Sequence, residues 1–458
     1  MTIDILPDDV LVLIFYFDGP EVFRQGRGYY PSWHRLVHVC QRWRSLVFAS
    51  PKYLDLRLVF DPWAHMELAG IWPPLPIIIR NIRKPFPEID AAIVHRSRVR
   101  EIDLYLPVFR RSPMERLISA MREPFPALIR LRLKFPSYVY MPTVLPDGFL
   151  GGSAPHLRSL ELHSIVFTAL PKFLLSATDL VDLTLRDIPE PGYISSETLL
   201  TCLAVLTNLK SLTIEFQPPP EPEVQHPLSP TRTILPALTY FELFCISEYL
   251  EYLMAHIDAP LLDTLRIALS YEDIFDICDI SQLCQFMRRT ARFQALKEAH
   301  VDFDYEGILV TSYPPTQTVD EEPGFRISGR FLIWGPSIMA EALTPLFPPI
   351  HIVEDLYIYG NENLLSEWED PIENVEWLQI FRSFTAVKNL YLRKEIARCI
   401  ALPLQGLGVR VADVLPALEC LFLEDLEMLG PAEEAIGQFV TARRLSGRPV
   451  ALSSWNKT

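Results

Sequence analysis

The sequence predicts a small all-α module followed by an irregular α/β solenoid, a curved parallel sheet with outer helices. Three observations carry that expectation. An apolar run with helix-start chemistry opens the chain. A six-residue pattern, apolar-x-x-apolar-x-apolar, then recurs between residues 99 and 423 at nearly constant spacing. Segments with helical periodicity separate the copies. With 458 residues the chain can bury a large core and hold one small and one large domain.

The opening element reads "LPDDVLVLIFYF", residues 6–17. Pro7, Asp8 and Asp9 suit a first helical turn, because proline has no N–H to lose and carboxylates favour the positive end of the dipole. Eight apolar residues, 10–17, then run round the whole cylinder. A helix without a polar face must be covered on more than one side. "DGPEVFRQGRGYYPS" (18–32) is polar, rich in glycine and proline, and reads as a loop. "WHRLVHVCQRWRSLVFAS" (33–50) has apolar residues at helical spacing and predicts a four-turn helix stopped at Ser50-Pro51. A core this small is marginal alone.

The repeats follow. "LDLRL" (54–58) and "LPIIIR" (75–80) are degenerate opening turns. "VREIDL" (99–104), "LIRLRL" (128–133), "LRSLEL" (157–162), "LVDLTL" (180–185), "LKSLTI" (209–214), "LTYFEL" (238–243) and "LDTLRI" (262–267) start 29, 29, 23, 29, 29 and 24 residues apart. "VEDLYI" (353–358), "VKNLYL" (387–392) and "LECLFL" (418–423) continue the series. Such spacing marks a leucine-rich-repeat solenoid. "LKEAHV" (296–301) is a weaker copy, and "FRISGRFLI" (325–333) fills the gap before residue 353. Pro126, Pro155, Pro236, Pro260 and Pro416 each stand two residues before a repeat's first leucine, where proline resets the chain from helix to strand. Much of the remaining proline lies in expected loops at 217–230 and 312–324.

Together, "LPDDVLVLIFYF" and "LVHVCQRWRSLVFASPKYLDL" resemble the F-box: a Leu-Pro start, an Ile-Phe pair, and a Val-Cys-x-x-Trp helix ending at Ser-Pro. With the repeats, the chain resembles the F-box/leucine-rich-repeat proteins. "FPALIRL", "FLGGSAPHLRSL" and "GYISSETLLTCLAVLTNL" narrow the resemblance to the large family found in mushroom-forming (basidiomycete) fungi. The resemblance implies an F-box domain over 1–53, a solenoid over 54–430, and a cap or tail over 431–458. It implies a non-catalytic substrate-recognition subunit of an SCF-type cullin–RING ubiquitin ligase, with a Skp-type adaptor and a cullin scaffold as partners. Carried over by motif position, the adaptor surface is Leu6, Pro7, Val10, Ile14, Phe15, Val39, Cys40, Trp43 and Leu46. Two departures stand out: the loop at 18–32 is long, and Ile165, Ile188, Ile246 and Leu426 occupy positions where the standard repeat has Asn. The alternatives are a repeat scaffold whose F-box is structural, and a receptor holding a small ligand in its solenoid.

In each repeat strand the residues between the leucines point to the open face. Tyr240, Phe244, Arg266, Tyr357, Tyr359, Tyr391, Arg393 and Phe422 are therefore the expected target-binding residues. Exposed aromatic rings with arginine nearby are typical anchors. The competing expectation is that the C-terminal segment, with Trp455, covers them.

Other chemistry finds little support. A net charge of −15 argues against nucleic acid and anionic membranes. Residues 10–17 are too few to span a bilayer. Seven scattered cysteines without C-x-x-C fit a reduced compartment, cytoplasmic or nuclear. His34 and His38 are one turn apart with no third ligand, and Cys278 and Cys284 have no second pair, so no metal or other cofactor is expected. No nucleotide-binding or nucleophile motif occurs, and no catalytic residue is assigned.

Overall fold

Helix α1 (Asp8–Phe17) forms where the first-turn carboxylates predict it, and Leu11 N–H donates to the Pro7 carbonyl at 3.0 Å. The second predicted helix is two. α2 (Trp33–Leu36) ends in a turn, and α3 (Gln41–Ala49) starts afresh from Cys40. Cys40 is extended (φ −157°, ψ 170°), and its Sγ accepts from Trp43 N–H at 3.5 Å. The thiol thus serves as an N-cap, a role that helical spacing alone does not disclose.

The computed structural model describes residues 5–17, 33–60, 74–81, 94–105, 118–136, 143–217, 232–270, 281–304, 307–313, 324–330, 352–360, 378, 381–382, 384–407, 410–424 and 430–455. Apart from their end residues, the expected loops at 217–230 and 312–324 lie outside these ranges, as do all of 18–32, Cys278 and Leu426. The chain divides into two compact units, Met1–Ile194 and Ser195–Thr458.

The first unit holds α1–α3 and a ladder of parallel strands: β1 (Leu58–Phe60), β2 (Ile77–Asn81), β3 (Val99–Tyr105), β4 (Arg130–Lys134), β6 (Ser159–His163) and β8 (Asp182–Ile188). A two-residue pair, β5 (Thr143–Val144) with β7 (Ile165–Val166), lies beside it in sequence. The repeat leucines keep strict register. Leu131, Leu160 and Leu183 are neighbours across three strands, as are Leu133, Leu162 and Leu185, and all are buried. The intervening residues are half-exposed or exposed, as alternation requires. Where the standard repeat has Asn, Ile165 and Ile188 are buried instead. The residue before each, Ser164 and Asp187, takes a left-handed φ (54° and 51°), and Ser164 Oγ donates to Asp187 Oδ2 at 2.7 Å. A side-chain bond between short polar residues turns the chain here.

In both units a β-turn precedes each of the proline-marked repeats. The N–H of Leu128, Leu157, Leu238, Leu262 and Leu418 donates to the carbonyl three residues earlier. The five repeat prolines occupy the first inner position of these turns, where a fixed φ is favourable.

The second unit contains β9 (Ser211–Phe216), β11 (Tyr240–Cys245) and β13 (Thr264–Ser270) in parallel, with a small pair β10 (Thr233–Ile234) and β12 (Ile257–Asp258). The predicted succession then breaks. β14 (Glu298–Asp304) and β15 (Gly307–Tyr313) form an antiparallel hairpin, and β16 (Phe325–Arg330) inserts between β15 and β13. "LKEAHV" therefore does not neighbour "LDTLRI". Only two residues separate β14 from β15, too few for a parallel crossover. Parallel order resumes from β14 to β17 (Asp355–Gly360), β18 (Asn389–Leu392), β19 (Cys420–Glu424) and β20 (Ala451–Trp455).

Helices connect these strands. The N-terminus of the helix Ser281–Arg289 is met by the Glu251 carboxylate, which accepts from Gln282 N–H (2.7 Å) and Leu283 N–H (2.9 Å). The expected C-terminal cap is a helix, Pro431–Leu445, followed by β20, which completes one more strand turn. Its anchor is Arg443, fully buried, whose guanidinium donates to the carbonyls of Val411, Val414, Leu415 and Leu418 at 3.1–3.5 Å. Among the described residues no helix is long and apolar enough to cross a membrane.

Arg443→Ala leaves these carbonyls buried without their donor. It is expected to cost about 3 kcal/mol or more, seen as a fall in the thermal unfolding midpoint. Arg443→Lys recovers only part, because an ammonium cannot match the planar fork.

Candidate functional site

Two surfaces carry the predicted site residues, one in each unit. The first is the face of α1. Leu11 and Phe15, four residues apart, point into the module, where Phe15 meets Trp43 with ring centroids 4.7 Å apart. Arg42 ties the start of α1 to α3, its Nη2 lying 2.6 Å from both the Leu6 carbonyl and Asp8 Oδ1. This holds the Leu-Pro segment in place, although an exposed ion pair adds little stability by itself.

The nine residues expected to meet an adaptor divide accordingly. Phe15 (3% exposed) and Trp43 (9%) are core partners of one another and present almost no surface. This corrects their assignment: they support the surface rather than form it. Ile14 (40% exposed), Val39 and Pro7 are exposed, while Leu6, Val10, Cys40 and Leu46 are half-buried. Leu13, Tyr16 and Phe17 are also exposed, and sequence reading left them out. Assigning Leu11 and Phe15 to the inner stripe would have found them, since the remaining apolar positions of α1 must then face outward.

The second surface is the open face of the repeat sheet. In the first unit this face is a network of paired charges. Glu161 accepts from Lys134 (2.8 Å), His163 (2.7 Å) and Arg132, and these bonds hold its carboxyl well below the usual range against the opposing effect of burial. Arg57 and Arg80 share Glu101 at 3.0 and 3.1 Å.

In the second unit the predicted aromatic residues form two groups, not one. Tyr240, Phe244 and Arg266 lie on β11 and β13, with the Arg266 guanidinium 5.6 Å from the Tyr240 ring centroid. β16, β15 and β14 separate them from Tyr357, Tyr359, Tyr391, Arg393 and Phe422. The inserted hairpin is the reason.

The later group is organised by register. His300, Tyr357, Tyr391 and Phe422 are in-register neighbours on β14, β17, β18 and β19. Their rings stack at centroid separations of 4.5, 4.1 and 4.4 Å, with interplanar angles of 12°, 8° and 7°. That separation follows from the strand spacing of about 4.8 Å. His300 was missed, although its strand was recognised as a weak repeat and its outward position could have been read. Its Nδ1 lies 3.1 Å from the Tyr359 hydroxyl and its Nε2 2.6 Å from the Glu298 carboxylate. Trp455 packs edge-on against Tyr391 (5.6 Å) and Tyr357 (6.0 Å), and donates to the Leu392 carbonyl at 3.3 Å. The C-terminal segment thus covers part of the row, while Tyr357, Tyr391 and Phe422 stay half-exposed. Tyr359 is buried at 8% exposure, which corrects its place among the contact residues.

Burial pushes the Tyr357 and Tyr359 phenols well above the ordinary range, with the Glu298 charge adding to both shifts. Burial likewise raises the Cys202 and Cys399 thiols to about 11, so both are packing residues with little thiolate. Among the described residues no group of three or more His, Cys, Asp or Glu side chains is placed to hold a metal ion.

No protein-family model matches this chain, and no curated protein matches it. Among solved structures it is similar to the leucine-rich repeat-containing protein LegL7 from Legionella pneumophila, with 13% identity and a TM-score of 0.27. That likeness covers 85% of this chain and 98% of the other.

Spectrophotometric titration tests the ring row. Tyr357 and Tyr359 are expected to stay protonated where exposed tyrosines ionise, near pH ~10. Both ionise normally once unfolded, so stability present below that pH is lost as pH rises above it. Trp455→Ala should bring their ionisation to lower pH. Normal titration of every tyrosine in the folded protein would exclude the buried row.

Proposed function

We propose that this chain is the substrate-recognition subunit of an SCF-type ubiquitin ligase, with α1 and α3 docking on a Skp-type adaptor and the repeat face holding a target. The observation that carries the reading is the outer face of α1. Leu13, Ile14, Tyr16 and Phe17 are 40–77% exposed on one ten-residue helix. A contiguous apolar face of this kind marks an interaction site. Covering such side chains yields ~1.5–3 kcal/mol each, enough for a specific complex once association costs are met.

The module has the means to present this face. Phe15 and Trp43 fill the space between α1 and α3, and Arg42 pins the Leu-Pro start, so the exposed residues sit on a braced helix. The chain's role in this reading is positional. Holding adaptor and target together raises the effective concentration of the target's lysines at a ubiquitin-charged enzyme supplied by other subunits. The compartment would be cytoplasmic or nuclear, where that machinery works.

The competing reading, a repeat scaffold with a structural F-box, takes its support from the same Phe15–Trp43 contact, which gives the module a core of its own. Co-purification with the adaptor separates the two. Ile14→Glu, at an exposed position, is expected to abolish capture and leave the unfolding temperature nearly unchanged. Leu6→Ala with Pro7→Ala should act likewise. Capture at wild-type level by Ile14→Glu would refute the docking surface, whereas Phe15→Ala should destabilise the module by about 3–5 kcal/mol under either reading.

A further inference from the structure

The ring row has a second property, its charge. Glu298 and Asp355 stand on one side of it, and by register Asp302 and Glu424 stand two residues further along their strands on the other. Among the described residues, His300 lies in the row itself, Lys297 and Lys388 beside the ends of β14 and β18 are each held by Glu354 at 2.8 Å, and the remaining basic side chain at the row is Arg393, just after β18. It is already engaged by Glu424 at 3.3 Å and Glu395 at 3.6 Å. The first unit's charge network thus gives way here to half-exposed rings with two carboxylates on either side, of which Glu298 meets His300 at 2.6 Å and Asp355 accepts from Asn389 at 2.7 Å.

An apolar partner would strip these carboxylates of water with nothing in return, and an acidic one would be repelled. Arginine and lysine meet both demands. Their methylene stems pack along rings while the charged head reaches an acid. Among the described residues, one face of the Phe422 ring has no stacked neighbour. Tyr391 covers one side of Phe422, but the register position on its other side is Ser453, too small to cover a ring.

We infer that this face takes an arginine- or lysine-bearing segment of a target protein, its basic side chains set along the Tyr357–Tyr391–Phe422 row and paired with the flanking carboxylates. The inference rests on the target-recognition part of the proposed function and not on adaptor docking. Substitutions here leave adaptor capture intact, so each result can fail without the other.

Fluorescence anisotropy with the full-length protein tests it. The probe is a labelled peptide of alternating arginine and serine, with a glutamate–serine peptide as its counterpart, in about 0.15 M salt. The arginine peptide should bind saturably and the glutamate peptide should not. Phe422→Ala is expected to weaken binding about tenfold. Asp302→Asn, at an exposed position, should weaken it about threefold. Glu433→Gln, an equal charge change on the exposed side of the helix Pro431–Leu445, should change nothing. Equal losses from Asp302→Asn and Glu433→Gln would reduce the effect to net charge and overturn the inference. Binding of the glutamate peptide would overturn it too. So would a dimer in sedimentation that Phe422→Ala abolishes, because the face would then serve a second copy of this chain.

Discussion

The arrangement depends on one constraint: two inward apolar residues per strand, held in register between parallel neighbours. Leu356, Leu390 and Leu421 form one such line, and Ile358, Leu392 and Leu423 form the next. A slip of one residue would send every buried leucine to solvent, so the hydrophobic effect locks the pairing. Whatever lies between those residues is then forced into columns across the open face. The leucines thus decide which outward side chains become neighbours without touching them.

The two units use those columns differently. In the first, acid and base alternate between strands, as in Lys134 and Arg132 around Glu161, and the charges satisfy one another. In the second, aromatic residues at one column stack into a row, and Trp455 closes part of it from the last strand. A face whose charges are mutually paired has little left for a partner. A row of half-exposed rings flanked by acids still has apolar area and charge to offer.

The helical module obeys a different limit. It is too small to surround α1, so burying Leu11 and Phe15 leaves the other apolar positions outside. Phe15 and Trp43 belong to the same motif as Ile14 and Val39 but have opposite roles. One pair makes the module rigid, and the other two face the solvent. A motif specifies a local shape and does not say which of its side chains touches a partner.

By itself the sequence determined the helix start at Pro7-Asp8-Asp9, the strand of each regular repeat, the proline turns, and which strand residues point outward. All of these follow from interactions among residues near in sequence or from a simple period. Only the tertiary structure decided the break at Cys40, the insertion of β15 and β16, the split of the aromatic residues into two groups, and the entry of His300 and Trp455 into one row. Each of these depends on which strand pairs with which, and strand pairing is a long-range choice that local periodicity does not encode.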